Sequence, residues 1–158
     1  MPSERTAHAT SRRGDDDRAE FPVEVTPEHA HCLICGDFHP GSWGLSFAKT
    51  EDGGVETKFA VGSELQGYDN IVHGGVIATL LDAAMTHCLF HRGIQAVTGD
   101  LRVRFLHPVC CDTTMEIRAW LLFSCPPLYQ LKGEITFEGL VMAKAEGKFM
   151  KREKDDAA

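Results

Sequence analysis

The sequence predicts an α+β fold in which an antiparallel sheet of about six strands wraps around one long central helix. One segment alone, from about His73 to Arg92, has the length and the helical spacing of apolar residues that a long helix requires. The other apolar segments are short, alternate between apolar and polar residues, and are joined by short turns. Strands connected in this way are typical of an antiparallel sheet.

Length, charge and terminal composition limit the class of protein. A chain of 158 residues suits a single domain, and a net charge of −7 argues against a broad nucleic-acid interface, which needs a clustered basic face. No apolar run is long enough to span a bilayer, and the first twenty residues lack the apolar stretch of a secretory signal. We therefore expect a cytoplasmic protein with reduced cysteines that binds neither nucleic acid nor membrane.

Three parts are predicted along the chain. Residues 1–20 are polar and charged and should form a disordered tail, because they have almost nothing to bury. Residues 21–150 should form the single domain, in which Thr26-Pro27-Glu28 resembles a helix start. Residues 151–158 should fray as a C-terminal tail.

Two strands are predicted before the long helix, at Trp43–Ala48 and Val55–Val61, with a turn at 51–54 between them. The helix is apolar on almost every side, which indicates that it is buried, and Gly93 provides a C-terminal stop. Its apolar positions are Val76, Ile77, Leu80, Leu81, Ala84, Met85, Cys88 and Leu89.

Four strands are predicted after the helix, with a hairpin turn at Glu138-Gly139 between the last two. Their predicted ranges are Thr98–Leu106, Thr113–Phe123, Leu128–Phe137 and Val141–Met150.

Several motifs together resemble the hotdog-fold thioesterases of the phenylacetic-acid-pathway (PaaI-like) type. The likeness covers roughly residues 30–150. It rests on Gly67–Met85, which contains His-Gly-Gly followed by Asp82 in an apolar helix, and on Cys32–Gly36, Gly44-Leu45, Ala96-Val97-Thr98, Arg102–Pro108 and Ala143–Phe149.

This resemblance implies a hotdog fold, assembly as a homodimer or a dimer of dimers, and hydrolysis of an acyl thioester of coenzyme A. It also implies no separate cofactor, because coenzyme A is part of the substrate. The family's His-Gly-Gly falls on His73, Gly74 and Gly75, with the Gly74 N–H as oxyanion donor. Its catalytic carboxylate falls on Asp82, and the hydroxyl that positions the attacking water falls on Thr98.

The second oxyanion donor stays open. Relatives often have an Asn about seven residues before the first glycine, where this chain has Gly67. Gln66 or Asn70 is the candidate substitute.

The chemistry of these residue types agrees with the implied roles. Gly74 and Gly75 fall at the predicted start of the helix, where backbone N–H groups are free, the helix dipole is positive and a substrate can approach closely. Asp82 lies eight residues further on, about 12 Å away along the axis. One helix therefore cannot direct both groups at one carbonyl, whereas two antiparallel helices of a dimer can.

Other candidate residues have structural alternatives. We expect His73 to fix the loop before the helix more than to transfer protons. Arg102 and Arg104 lie on one face of a strand and are candidates for binding the phosphates of coenzyme A, although exposed basic residues are usually only solvated.

A metal site is considered but not favoured. Cys32 and Cys35, with His29, His31 and His39 nearby, are suitable zinc ligands, yet no second Cys-x-x-Cys completes the usual pattern. We therefore expect no metal here and a loop that packs over the sheet.

Two other functions compete with thioester hydrolysis. The first is a hotdog hydratase or dehydratase acting on acyl thioesters, and the second is a domain that binds acyl-CoA without turnover.

Overall fold

The computed structural model describes residues 21–153 and contains one six-stranded antiparallel sheet with strand order β1-β2-β4-β5-β6-β3. The tail predicted at 1–20 lies outside the described residues. The elements in chain order are a short 3-10 helix (Pro27–His29), β1 (Ala48–Lys49), β2 (Val55–Val61), a second 3-10 helix (Ser63–Leu65), α1 (Gly74–His91), β3 (Ala96–Phe105), β4 (Thr113–Cys125), β5 (Leu128–Phe137) and β6 (Leu140–Lys151).

Helix α1 contacts every strand from β2 to β6, so the sheet wraps around it and the predicted fold class is confirmed. Its buried side chains form the centre of the core, and Leu80, Leu81 and Met85 have no exposed surface. The core exists because this helix is apolar on almost all sides and the sheet covers most of them. Within residues 21–153, no helix combines the length and the apolar character that crossing a membrane requires.

Local sequence signals explain the strand ends. The predicted turn between β5 and β6 is present, with φ of 50° at Glu138 and 79° at Gly139, which is the backbone of a tight hairpin turn.

In β4 the alternating residues Met115, Ile117 and Ala119 are buried against the helix, as their spacing predicts.

Two predicted boundaries are wrong. The strand expected at Trp43–Ala48 is reduced to Ala48–Lys49, because the preceding backbone bonds to the N-terminal segment and a loop instead of to β2. Its hydrogen bonds run from the Val23 N–H to the Phe47 carbonyl and from the Leu45 N–H to the Ile34 carbonyl. At the other end, β6 includes Lys151, and the Arg152 N–H donates to the Gln95 carbonyl, so neither residue belongs to a frayed tail.

Candidate active site

The loop before α1 is folded back tightly on itself and determines how the helix begins. The Gly67 N–H donates to the Ile71 carbonyl, and the His73 N–H donates to the Leu65 carbonyl. His73 then acts as the N-cap, with its Nδ1 accepting the Gly75 N–H at 2.8 Å. Its ring therefore supplies one of the acceptors that the first turn of a helix lacks.

Gly74 presents a free donor at this helix start. It is exposed, and no residue in the described range 21–153 accepts its N–H. A side chain here would contact the Phe105 ring, since a Cβ atom would lie 3.6 Å from it. The Gly74 N–H is thus a polarised donor at the positive end of the helix dipole.

A largely apolar cavity of about 500 Å³ opens beside this donor. Its lining includes Gly74, Ile77 and the loop after β3. Three side chains there were not singled out from the sequence, namely Tyr68, Phe105 and His107. The sequence signal that could have indicated them is the predicted strand that ends in Phe105-Leu106-His107-Pro108. In the structure, the side chains of Phe105 and Leu106 are both exposed.

Asp82 and Thr98 form a second cluster. The Thr98 hydroxyl donates to Asp82 Oδ1 at 2.6 Å, although sixteen positions separate the residues in sequence. Asp82 is half-buried in the middle of α1, and Thr98 is exposed near the start of β3. The chain returns after the helix so that β3 runs beside it, which brings the hydroxyl to the carboxylate.

One chain does not unite these two clusters. Neither Asp82 nor Thr98 lines the cavity beside Gly74. Both residues belong to the continuous helix α1, whose rise separates Gly74 from Asp82 by about 12 Å along the axis. The separation predicted from the sequence is therefore present in the folded chain.

The other candidate substrate-binding residues near the start of α1 form hydrogen bonds within the chain. The Gln66 side chain accepts the Asn70 N–H at 3.2 Å, and neither residue lines the cavity. The Gly75 N–H is occupied by His73. Within one chain, Gly74 is therefore better placed than these three to donate to a carbonyl.

Arg102 and Arg104 lie on the outer face of β3. The alternate residues Leu101 and Val103 pack against the core, so the two arginines point away from it. They line a shallow groove with Trp120, Lys132, Lys144 and other residues of the outer sheet face. Within one chain this groove is separate from the cavity beside Gly74.

One family model matches the central part of the chain. Residues 69–123 match the family model of the thioesterase superfamily. No protein with a curated description matches the sequence significantly.

Solved structures share the fold. One thioesterase superfamily protein superposes with a TM-score of 0.70 at 24% identity, over 75% of this chain and 62% of its own length. A Streptococcus mutans protein bound to acetyl CoA matches with a TM-score of 0.64 at 22% identity, over 68% of this chain and 88% of its own. The Escherichia coli PaaI protein of the phenylacetic acid degradation operon matches with a TM-score of 0.62 at 20% identity, over 69% of this chain and 78% of its own length. The matched family segment spans the loop before α1, α1 itself, β3 and most of β4, and the solved structures share the hotdog fold of this chain.

Proposed function

We propose that this protein hydrolyses acyl-CoA thioesters, with the acyl group in the cavity beside Gly74. The observation that carries the proposal is the pairing of a free N–H at a helix start with an apolar cavity of about 500 Å³. Structural relatives include proteins bound to acetyl CoA and to coenzyme A. Such a cavity suits an acyl chain, because it is concave and apolar with one well-placed polar group.

The Gly74 N–H would polarise the thioester carbonyl. As water attacks the carbonyl carbon, the oxygen becomes an oxyanion, and a preorganised backbone donor stabilises it without reorganisation. The aligned peptide dipoles of α1 add to this effect. No cofactor is needed for this step.

Asp82 would orient the attacking water and accept its proton. Thr98 holds Oδ1 through its hydroxyl, which leaves Oδ2 available to the water. The hydroxide then bonds to the carbonyl carbon, the C–S bond breaks, and coenzyme A leaves as a thiolate that takes up a proton. Solved structures of a Streptococcus pneumoniae thioesterase include separate alanine variants of an aspartate and a threonine sixteen positions apart. Asp82 and Thr98 have the same separation.

The two clusters would meet across a homodimer, in which Gly74 of one chain faces Asp82 and Thr98 of the other. The support lies in β3, which is an edge strand of the sheet and leaves Val97 and Phe105 more than half exposed, at 55% and 56%. An edge strand with exposed apolar residues offers its unpaired N–H and C=O groups to a second chain. A dimer of dimers could extend this assembly.

Thiol release from short, long and aromatic acyl-CoAs tests the activity. Asp82→Asn keeps the shape of the side chain but removes the base, so we expect a loss of roughly a hundredfold or more in kcat. Glu56→Gln, which changes an exposed carboxylate on β2, is the matched control and should retain the wild-type rate. If wild type binds acyl-CoA but releases no thiol from any of them, the protein is a binding domain and the proposal fails.

Mixed dimers test the shared site. Asp82→Asn and Gly74→Val homodimers should both be nearly inactive. Co-expression with two different tags should restore roughly a quarter of wild-type activity, because half of the dimers are mixed and each contains one intact site. Purified mixed dimers without activity would rule out the shared site, while leaving hydrolysis itself in place.

We also propose that the protein is located in the cytoplasm, which is a reducing compartment. All six cysteines lie within residues 21–153 and are free thiols there, as expected for a protein that is not exported.

A further inference from the structure

The loop after the first 3-10 helix brings one histidine and two cysteines to a common point. One ligand atom from each of His29, Cys32 and Cys35 lies within 4.8 Å of the other two. Cys35 Sγ is 3.7 Å from His29 Nδ1. Around tetrahedral zinc, bonds of about 2.1 Å to nitrogen and about 2.3 Å to sulfur separate the two ligands by about 3.6 Å. The side chains therefore have the spacing of ligands to one ion.

The backbone of this loop holds the two thiols in place. The Gly36 N–H donates to the Cys32 carbonyl, and the Phe38 N–H donates to the Ala30 carbonyl, each at 2.9 Å. A Cβ atom on Gly36 would lie 2.4 Å from the Cys32 nitrogen, so only glycine fits this turn. The Ile34 N–H also donates to Cys32 Sγ at 3.4 Å, which fixes the position of this thiol.

The cluster also has room for one more ligand. His29, Cys32 and Cys35 are half-buried. His29 and Cys35 line a cavity of about 390 Å³ together with Thr26 and Asp37. Thr26 Oγ1 is buried and has no hydrogen-bond partner among residues 21–153. A water molecule that binds the metal as its fourth ligand could occupy this cavity and form a hydrogen bond with Thr26 Oγ1.

We propose that His29, Cys32 and Cys35 bind one Zn²⁺ ion, with water as the fourth ligand, and that the ion clamps the N-terminal segment onto the C-terminal half of α1. The mechanical link is the His29 ring, which packs edge-on against Phe90 with 4.9 Å between ring centroids. Val23, which precedes this loop, and Phe47, which follows it, are both part of the core. A metal that holds the loop would therefore stabilise the core beneath it.

The ion would take no part in thioester hydrolysis. Phe90 lies eight residues after Asp82 and sixteen after Gly74. The rise of the helix places it about 12 Å from the first and about 24 Å from the second. The zinc site therefore stands independently of the proposed function.

Metal analysis of the whole protein, purified under reducing conditions, tests the proposal. We expect one zinc per chain and, after exchange, a Co²⁺ derivative with thiolate-to-cobalt charge-transfer absorption and tetrahedral d–d bands. Cys35→Ser should lose both metals, whereas Cys125→Ser, an exposed thiol far along the chain, should retain them. Chelation should lower Tm by several degrees, and zinc should restore it.

The wild-type cobalt spectrum keeps the test valid even if Cys35→Ser does not fold. A wild-type protein that retains no zinc and gives no thiolate charge transfer with Co²⁺ would overturn the proposal. Equal metal content in wild type and in folded Cys35→Ser would overturn it as well. Thiol release per folded chain should persist after chelation, so a failed zinc site and a failed thioesterase give different results.

Discussion

The Thr98 hydroxyl donates a 2.6 Å hydrogen bond to Asp82 Oδ1, and this bond ties the start of edge strand β3 to the middle of α1. A hydroxyl has one proton, so this donation directs its lone pairs away from the carboxylate. The pair therefore presents one oriented carboxylate oxygen and one hydroxyl acceptor to whatever approaches it.

Replacing Thr98 tests whether this hydroxyl positions the carboxylate. Thr98→Val keeps the β-branched shape and removes the donor, so we expect kcat for acyl-CoA hydrolysis to fall roughly tenfold or more with little change in KM. Thr98→Ser keeps the hydroxyl and should restore most of the rate. Equal rates for Thr98→Val and wild type would show that the bond serves folding alone.

Adding a methyl group at Gly74 tests the approach of the substrate to the backbone. A Cβ atom there meets only the Phe105 ring, at 3.6 Å, and alanine is the better helix residue by up to about 1 kcal/mol. We therefore expect Gly74→Ala to fold with unchanged or slightly higher Tm but to hydrolyse acyl-CoA roughly tenfold more slowly. Gly41→Ala, on an exposed loop, is the control. Full activity of Gly74→Ala would remove Gly74 from the site.

Substitutions of His73 separate capping from proton transfer. His73→Ala removes the acceptor of the Gly75 N–H and should cost about 1 kcal/mol in the free energy of unfolding. Asparagine is a good N-cap residue, so His73→Asn should recover most of that stability and also most of the turnover. Urea unfolding and kcat are measured together. An asparagine variant that is stable yet as inactive as an Asp82 variant would mean that His73 itself transfers protons.

Burial of His87 should make the fold sensitive to acid. Burial, together with the nearby His29, lowers the pKa of His87 from 6.5 to about 4. The ring lies between Phe47 and Phe90, with centroids 4.7 Å and 5.2 Å away. Above pH 6.5, His87 is neutral in both the folded and the unfolded chain, so it does not change the free energy of unfolding with pH. Below that value the unfolded chain binds a proton that the folded chain does not, so stability falls by up to about 1.4 kcal/mol per pH unit until the folded pKa is reached.

Urea unfolding between about pH 7 and pH 4.5 measures this loss. His87→Leu introduces an apolar side chain of similar size and should flatten the dependence without abolishing it, because burial also lowers the pKa of His91. The same slope in wild type and His87→Leu would show that other groups cause the acid sensitivity.

Elements that depend on local signals are predicted well from the sequence. The helix from Gly74 to His91 follows from continuous apolar spacing, a His-Gly-Gly start and a glycine stop. The strands β2 and β5 have the predicted ends, because turn residues bound them. The prediction of a strand at Trp43–Ala48 is wrong because an alternating pattern does not indicate which backbone the segment bonds to. Its hydrogen bonds join it to Val23 and to the loop at 33–34.

The sequence by itself determined which residues are candidates for the chemistry and which segment would form the buried helix, since helix periodicity, turn residues and the His-Gly-Gly motif are properties of neighbours along the chain. Only the tertiary structure decided which of these residues meet. It brings Thr98 to Asp82, sixteen positions away in sequence. It also sends Arg102 and Arg104 to the outer face of the sheet. The physical reason is that such contacts depend on strand order and on the packing of the sheet around α1, which link residues distant in sequence.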